Sequence, residues 1–297
     1  MRQYLELLAR TYSLGVRQKN RTGVDTFMVP GGMMQFDLGD GFPILTTKKV
    51  NFGSVVGELL AFIRGCDSAA DFRALGCNIW DKNANGNQQW MENENRKGID
   101  DLGRVYGVQW RDWRAIDAVS DKHTIGLDRL DQFARMLNMI EKDPTSRRII
   151  VNAWRPDELH LMALPPCHMM FQVLVEQEAH KLHMTMYMRS CDMFLGVPFN
   201  ISSYALLLSL ISQATGYRPG ILTMFLADVH IYENHRPQVQ EQLNRNTRMR
   251  PRLILPEIKR GDDAPLSPLD WIESLHPIEI ILQGYDPSPA IKGEMAV

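Results

Sequence analysis

Apolar residues at Leu5, Leu8 and Tyr12 fall on one face of a helix, and the pattern stops at Gly15. The basic, polar residues 19–23 that follow read as an exposed loop. Between residues 50 and 63 the apolar set Phe52, Val55, Val56, Leu59, Leu60, Phe62 and Ile63 covers most of a helix surface. That predicts a buried helix with one carboxylate, Glu58, inside it. A third helix fits Leu127, Leu130, Phe133, Leu137 and Ile140 and ends before Asp143-Pro144, because proline restricts the residue ahead of it.

The middle of the chain is dense in β signals, at residues 148–151, 170–175 and 182–188, where side chains alternate in character. Asn200-Ile201-Ser202-Ser203 then opens an apolar run at 204–211, whose length and lack of Gly or Pro predict a buried helix. Two late strands fit residues 221–226 and 278–282. Residues 79–109 turn polar and rich in Asn and Gly, which predicts a surface insertion or a mobile loop, centred on about 83–103. There is no internal repeat, low-complexity tract or linker. The expectation is one α+β domain over residues 1–297, a central mixed sheet flanked by helices.

Lys plus Arg (33) nearly balances Asp plus Glu (35), so no overall basic field favours nucleic acid or an anionic membrane as partner. Any anionic ligand must be met by local arginines. The N-terminus does not read as a signal peptide, and no run looks long enough to span a bilayer. Four cysteines, Cys66, Cys77, Cys167 and Cys191, show no metal-ligand spacing and suit a reducing compartment, so a cytoplasmic protein without a metal is expected.

One cysteine has an unusual setting. Leu164-Pro165-Pro166-Cys167-His168 puts a thiol after two prolines, whose fixed φ angles stiffen the approach, and just before a strand. A free cysteine is more often a packing residue, and reactivity requires thiolate character, which arginines could supply. Arg21, Arg147, Arg148 and Arg189 are the candidates. Arg147 and Arg148 enter an apolar strand, where one of two neighbours must face inward. Several guanidinium groups with the Ser190 hydroxyl are what a phosphate monoester requires.

Five strings are collinear over most of the chain: Asp143-Pro-Thr-Ser-Arg-Arg-Ile-Ile-Val151, Leu164-Pro-Pro-Cys-His168, Arg189-Ser-Cys-Asp-Met-Phe-Leu-Gly-Val-Pro-Phe-Asn-Ile201, Asp228-Val-His-Ile-Tyr232 and Glu294-Met-Ala-Val297. Together they resemble the thymidylate synthase family, from Arg21-Thr22-Gly23 to the last residue. The resemblance implies that Cys167 attacks C6 of deoxyuridylate (dUMP), with 5,10-methylenetetrahydrofolate as cosubstrate. It places Glu58 and Tyr106 in proton transfer and adds Arg189 and Asp192 to the catalytic set. For the nucleotide it implies Arg21, His168, Arg189, Ser190, Asn200, His230 and Tyr232, joined by Arg147 and Arg148 from the partner of a homodimer. Asn200 would read the pyrimidine edge.

For the folate the resemblance implies Lys48, Ile79, Trp80, Asn83, Asp192, Leu195, Gly196, Phe199, Met295 and Ala296. The last residues would close over the ligands. Four positions depart from the family pattern: Met188 for a usual Gln, Ala61 for Trp, Asn51 for His and Ala227 for Gly. A hydroxymethylase of the same superfamily would use the same cysteine and folate but water in place of hydride. Its deoxycytidylate form is disfavoured by Asn200, where that enzyme typically carries Asp. A non-catalytic nucleotide- or RNA-binding protein would be expected to have lost the cysteine or the arginines.

Overall fold

The structure, a computed structural model, describes residues 1–117, 126–258 and 266–295. Six strands form a mixed sheet in the order Val16–Gln18, Thr26–Asp37, Arg218–Tyr232, Lys181–Asp192, His168–Glu176, Ile150–Asn152. Every neighbouring pair is antiparallel except Lys181–Asp192 with Arg218–Tyr232. A parallel pair needs a crossover, and the helix Gly196–Ala214 provides it. That helix is apolar nearly all round and is buried between the sheet and the helix Phe52–Ile63. The α+β class and the single mixed sheet agree with the sequence pattern.

Gly196–Ala214 also corrects two expectations. It begins at Gly196, ahead of the 204–211 run, and it is long and apolar enough to cross a bilayer. Its hydropathy comes from its place in the core, since 78% of its most apolar window is buried. The helix Phe52–Ile63 starts where Asn51 Oδ1 accepts the Ser54 N–H at 3.3 Å, and it is buried from Ser54 to Ile63. Gly57 lets this helix lie close to a neighbour, because a Cβ there would be 2.2 Å from the Leu75 carbonyl oxygen. Glu58 is thereby pressed into the interior.

Elsewhere the pattern misled. Leu127 and Leu130 belong to the strand Gly126–Leu130, paired with Trp113–Asp117, and the helix is Gln132–Lys142. Asp131 caps it by accepting the Ala134 N–H at 2.8 Å, which starts the helix after the leucines. Residues 278–282 divide into a 3-10 turn, Pro277–Glu279, and the strand Ile281–Gln283. Thr26–Asp37 is a twelve-residue strand that Pro30-Gly31-Gly32 concealed. Val16–Gln18 pairs only with residues 26–28, so Pro30 lies where that side of the strand has no ladder to donate to.

The Asn-rich stretch is built of short helices and turns that bond to the rest of the chain, Asn87 Nδ2 donating to the Ala163 carbonyl at 2.9 Å. Trp90 is buried and donates its indole N–H to the Asp101 carbonyl at 2.7 Å, and Asp101 Oδ2 accepts the Lys97 N–H at 2.7 Å. Asparagine side chains here close turns instead of meeting solvent alone.

Candidate active site

The strands Lys181–Asp192 and Arg218–Tyr232 run in register, with Ser190 beside Asp228 and Asp192 beside His230. Their carboxyl ends open on a cleft of about 400 Å³. Ligands bind at this end of parallel strands because the chain leaves the sheet there and exposes groups that the ladder no longer uses. Of the residues named from sequence, Arg21, Glu58, Trp80, Asn83, Tyr106, Cys167, His168, Arg189, Ser190, Asp192, Gly196, Asn200, His230, Tyr232 and Met295 line this one cleft.

Cys167 is held from both sides. Its backbone N–H donates to the Tyr106 hydroxyl at 2.7 Å, and its carbonyl accepts the Arg189 N–H at 2.8 Å. The Arg189 guanidinium donates from Nε to Pro166 O at 2.8 Å and from Nη2 to Pro165 O at 3.0 Å, so the same residue braces the proline turn and faces the thiol. Burial pushes the Cys167 thiol above its ordinary range, with Arg189 and Arg21 pulling the other way. The expected thiolate character is thus outweighed by desolvation.

Glu58 meets Trp80, whose Nε1–H donates to Oε1 at 2.9 Å. Burial pushes the Glu58 carboxyl up to about 7, against that hydrogen bond. His168 is driven down to about 3 by burial and is therefore neutral. Its ring stacks on Tyr106 at 4.0 Å, and its Nδ1 pairs with the Tyr204 hydroxyl at 2.8 Å. Burial would lower His230, but Asp228, whose Oδ1 is 2.9 Å from Nδ1, helps raise it above its usual value. Burial raises the Tyr232 hydroxyl.

Other expected residues stand apart. Lys48 is buried outside the cleft wall; its Nζ donates to the Phe194 carbonyl and lies 3.7 Å from the centre of the Phe194 ring. Burial draws it down to about 8, opposed by Asp192. Ile79, Leu195 and Phe199 are half-buried and packed on the core, and are not among the lining residues. Ala296 lies outside the described residues. Arg147 and Arg148 are both exposed in a turn ahead of the strand Ile150–Asn152, so neither faces inward within this chain. The turn frees both side chains from the strand's alternation, which begins only at Ile150.

A sequence model of the thymidylate synthase family matches residues 2–297. The thymidylate synthase of Pseudomonas syringae pv. tomato is 40% identical over 327 aligned residues, covering 100% of both chains. Those of Pseudomonas putida and Bordetella parapertussis are each 39% identical, again over 100% of both. The chain belongs to the thymidylate synthase family. Its members are methyltransferase enzymes.

Among the four departures from the family pattern, Asn51 acts as the cap described above, and Met188 is a buried wall of the cleft. Ala61 is fully buried within the helix that carries Glu58. Nothing in the structure explains Ala227. Sequence reasoning left out Asn20, Thr22, Thr26, Asn87, Leu164 and Asp228 as lining residues. Two had signals. Asn20 precedes a turn at Gly23 and accepts the Thr22 N–H at 2.8 Å, an Asx turn that shapes the Arg21 loop. Asp228 is two positions from His230 on a strand and so shares its face. Among the described residues no group of three or more His, Cys, Asp or Glu could share a metal ion.

Proposed function

We propose that this protein converts dUMP and 5,10-methylenetetrahydrofolate to thymidylate and dihydrofolate. The observation that carries the reading is convergence: a braced cysteine, a buried carboxyl near neutrality, an uncommitted amide and two arginines face one cleft. Arg21, Arg189 and Ser190 would take the phosphate, His230 and Tyr232 the sugar hydroxyl, and Asn200 the N3–H and O4 edge. Sγ of Cys167 would bond to C6, moving the electron pair of the C5–C6 double bond toward C5 and O4. Glu58 suits proton exchange at O4 because it holds and releases a proton near pH 7. Once C5 has bonded to the one-carbon unit, a base would take the C5 proton, the carbon would part from the folate nitrogen, hydride from the folate would complete the methyl group, and the Sγ–C6 bond would break as the double bond returns.

A reduced folate would supply the one-carbon unit and the hydride, and part of the lining suits it. Trp80 and Asn83 offer an aromatic edge and an amide on one wall, Asp192 an acceptor, and Met295 an apolar cover. Asp192 Oδ1 already accepts the Phe194 and Leu195 N–H groups at 2.9 and 3.2 Å, leaving Oδ2 for a ligand donor.

The active unit in this reading is a homodimer. On the face of the sheet away from the crossover helix, Met33, Phe225 and Tyr187 are exposed register neighbours, and Ile150 and Leu174 are exposed on the same face. A second copy is the natural cover for an apolar sheet face. Arg147 and Arg148 adjoin Ile150 and would reach the partner's phosphate site. The four unpaired cysteines fit a cytoplasmic location.

The test is to mix protein, dUMP and methylenetetrahydrofolate, follow dihydrofolate by absorbance and weigh the nucleotide product. Thymidylate and dihydrofolate should form in equal amounts, and Cys167→Ser should lose nearly all turnover while still binding dUMP. A 5-hydroxymethyl product without dihydrofolate would assign the hydroxymethylase reaction instead.

A further inference from the structure

The helix Asp81–Asn85 is five residues long, far too short to persist on its own in water. Yet it brings two residues to the cleft: Trp80, its N-cap, with the indole on Glu58, and Asn83 within it. Something outside the cleft must fix it. Arg73 Nη1 donates to Asp81 Oδ1 at 2.7 Å, and both Nη groups bind the Asp100 carboxylate, at 3.0 and 2.6 Å. At the other end of the helix Asn85 Nδ2 donates to Asp100 Oδ1 at 2.7 Å, and Asn85 Oδ1 accepts the Asp100 N–H at 2.9 Å. Arg96 adds donations to the Ala84 carbonyl and Asn85 Oδ1, each at 3.2 Å.

Asp100 occupies the centre of this arrangement at φ 64°, a left-handed conformation that an L side chain adopts reluctantly. A turn needing only that φ is served best by glycine. The carboxylate is therefore there for its contacts. Isolated surface ion pairs contribute little, but a two-pronged arginine grip on a carboxylate that is 17% exposed, tied also to an amide, is a network of defined geometry.

We propose that Asp100, acting through Arg73 and Asn85, is a positioning residue for the reaction, fixing the short helix that aims Trp80 at Glu58 and Asn83 into the cleft. The inference rests on the function proposed above. The indole is also packed on Phe62, Phe72 and Tyr106, so losing the grip loosens its hydrogen bond to Glu58 without unseating the ring, and the groups that the Glu58 charge raises, Cys77, Tyr106 and Tyr204, are none of them cationic. The Trp80 donor is what opposes burial of the carboxyl, so weakening it lets burial push Glu58 further up.

Asp100→Gly is the variant of choice, because glycine relaxes the left-handed turn while removing the carboxylate. Amide exchange across residues 81–86 should quicken about tenfold, the scale of losing one or two hydrogen-bonded pins. The folate KM should rise about fivefold or more, with dUMP affinity in the absence of folate within about twofold of the parent. The Glu58 limb of the kcat profile should move to higher pH. Arg73→Lys should do the same to a smaller degree, since an ammonium lacks the fork that spans two carboxylates, and Asp100→Asn, which keeps an acceptor, should restore most of the folate affinity.

Unchanged exchange and folate KM in Asp100→Gly would overturn the proposal, as would equal loss of dUMP and folate binding, which marks general destabilisation. The exchange measurement needs no turnover. If the parent protein makes no thymidylate, the functional reading fails while the exchange result still decides whether Asp100 fixes the helix.

Discussion

Trp80 holds its indole N–H 2.9 Å from Oε1 of Glu58, and through that contact a polar segment reaches the buried, apolar helix Phe52–Ile63. The two residues are 22 positions apart, and both line the cleft. Burial and hydrogen bonding act on Glu58 with opposite signs, and burial prevails.

Stability should therefore fall with rising pH because of Glu58. Its folded value of about 7 lies above the ordinary 4.5, so between those limits the folded protein keeps a proton that the unfolded chain has lost. The contribution is full below pH 4.5 and is lost as the pH rises through about 7, on the order of 3 kcal/mol in all. Glu58→Gln carries no such term. Thermal melts of both proteins from pH 5 to pH 8 should show the variant gaining on the parent as the pH climbs, and parallel curves would mean that Glu58 titrates normally.

Mixing two inactive proteins should produce activity. A dimer of one Cys167→Ser and one Arg148→Ala subunit contains one site with both an intact nucleophile and an intact borrowed arginine. Random exchange gives about half heterodimers with one working site each, so roughly a quarter of parental activity is expected. Subunit exchange shown by mass, with no recovered turnover, would place Arg148 in service of its own chain.

Base choice should follow Asn200. Its amide can accept from N3–H and donate to O4 of uracil, whereas cytosine presents the reverse pattern. An unpaired buried polar group costs about 1–3 kcal/mol, so dUMP should be preferred over deoxycytidylate by at least about tenfold in kcat/KM. Asn200→Asp should narrow or invert that ratio. Measuring both nucleotides with both proteins decides the matter, and an unchanged ratio would remove Asn200 from base reading.

The legible parts of the sequence were those where one force dominates. Burial fixed the helix Phe52–Ile63 and the three strands His168–Glu176, Lys181–Asp192 and Arg218–Tyr232, and their apolar periodicity carries that information directly. Thr26–Asp37 was hidden because its interruption by Pro30 is harmless only at an unpaired strand side, a fact of tertiary arrangement. Leu127 and Leu130 matched a helical spacing by coincidence, and the cap at Asp131 was the stronger signal. In the site, fifteen of the residues named from sequence line one cleft, while Arg147, Arg148, Leu195 and Phe199 do not, and Lys48 turned inward onto Phe194, a choice governed by a carbonyl 146 residues away.

The cleft draws its walls from Asn20 at one end of the chain and Met295 at the other, with Glu58, Cys167 and His230 between. A nascent chain that has emerged as far as Leu243 already has all six strands of the central sheet and the crossover helix, yet still lacks Met295, the residue that covers one end of the cleft. Ordering of the core and completion of the cleft are thus separate events, and the second waits for Met295.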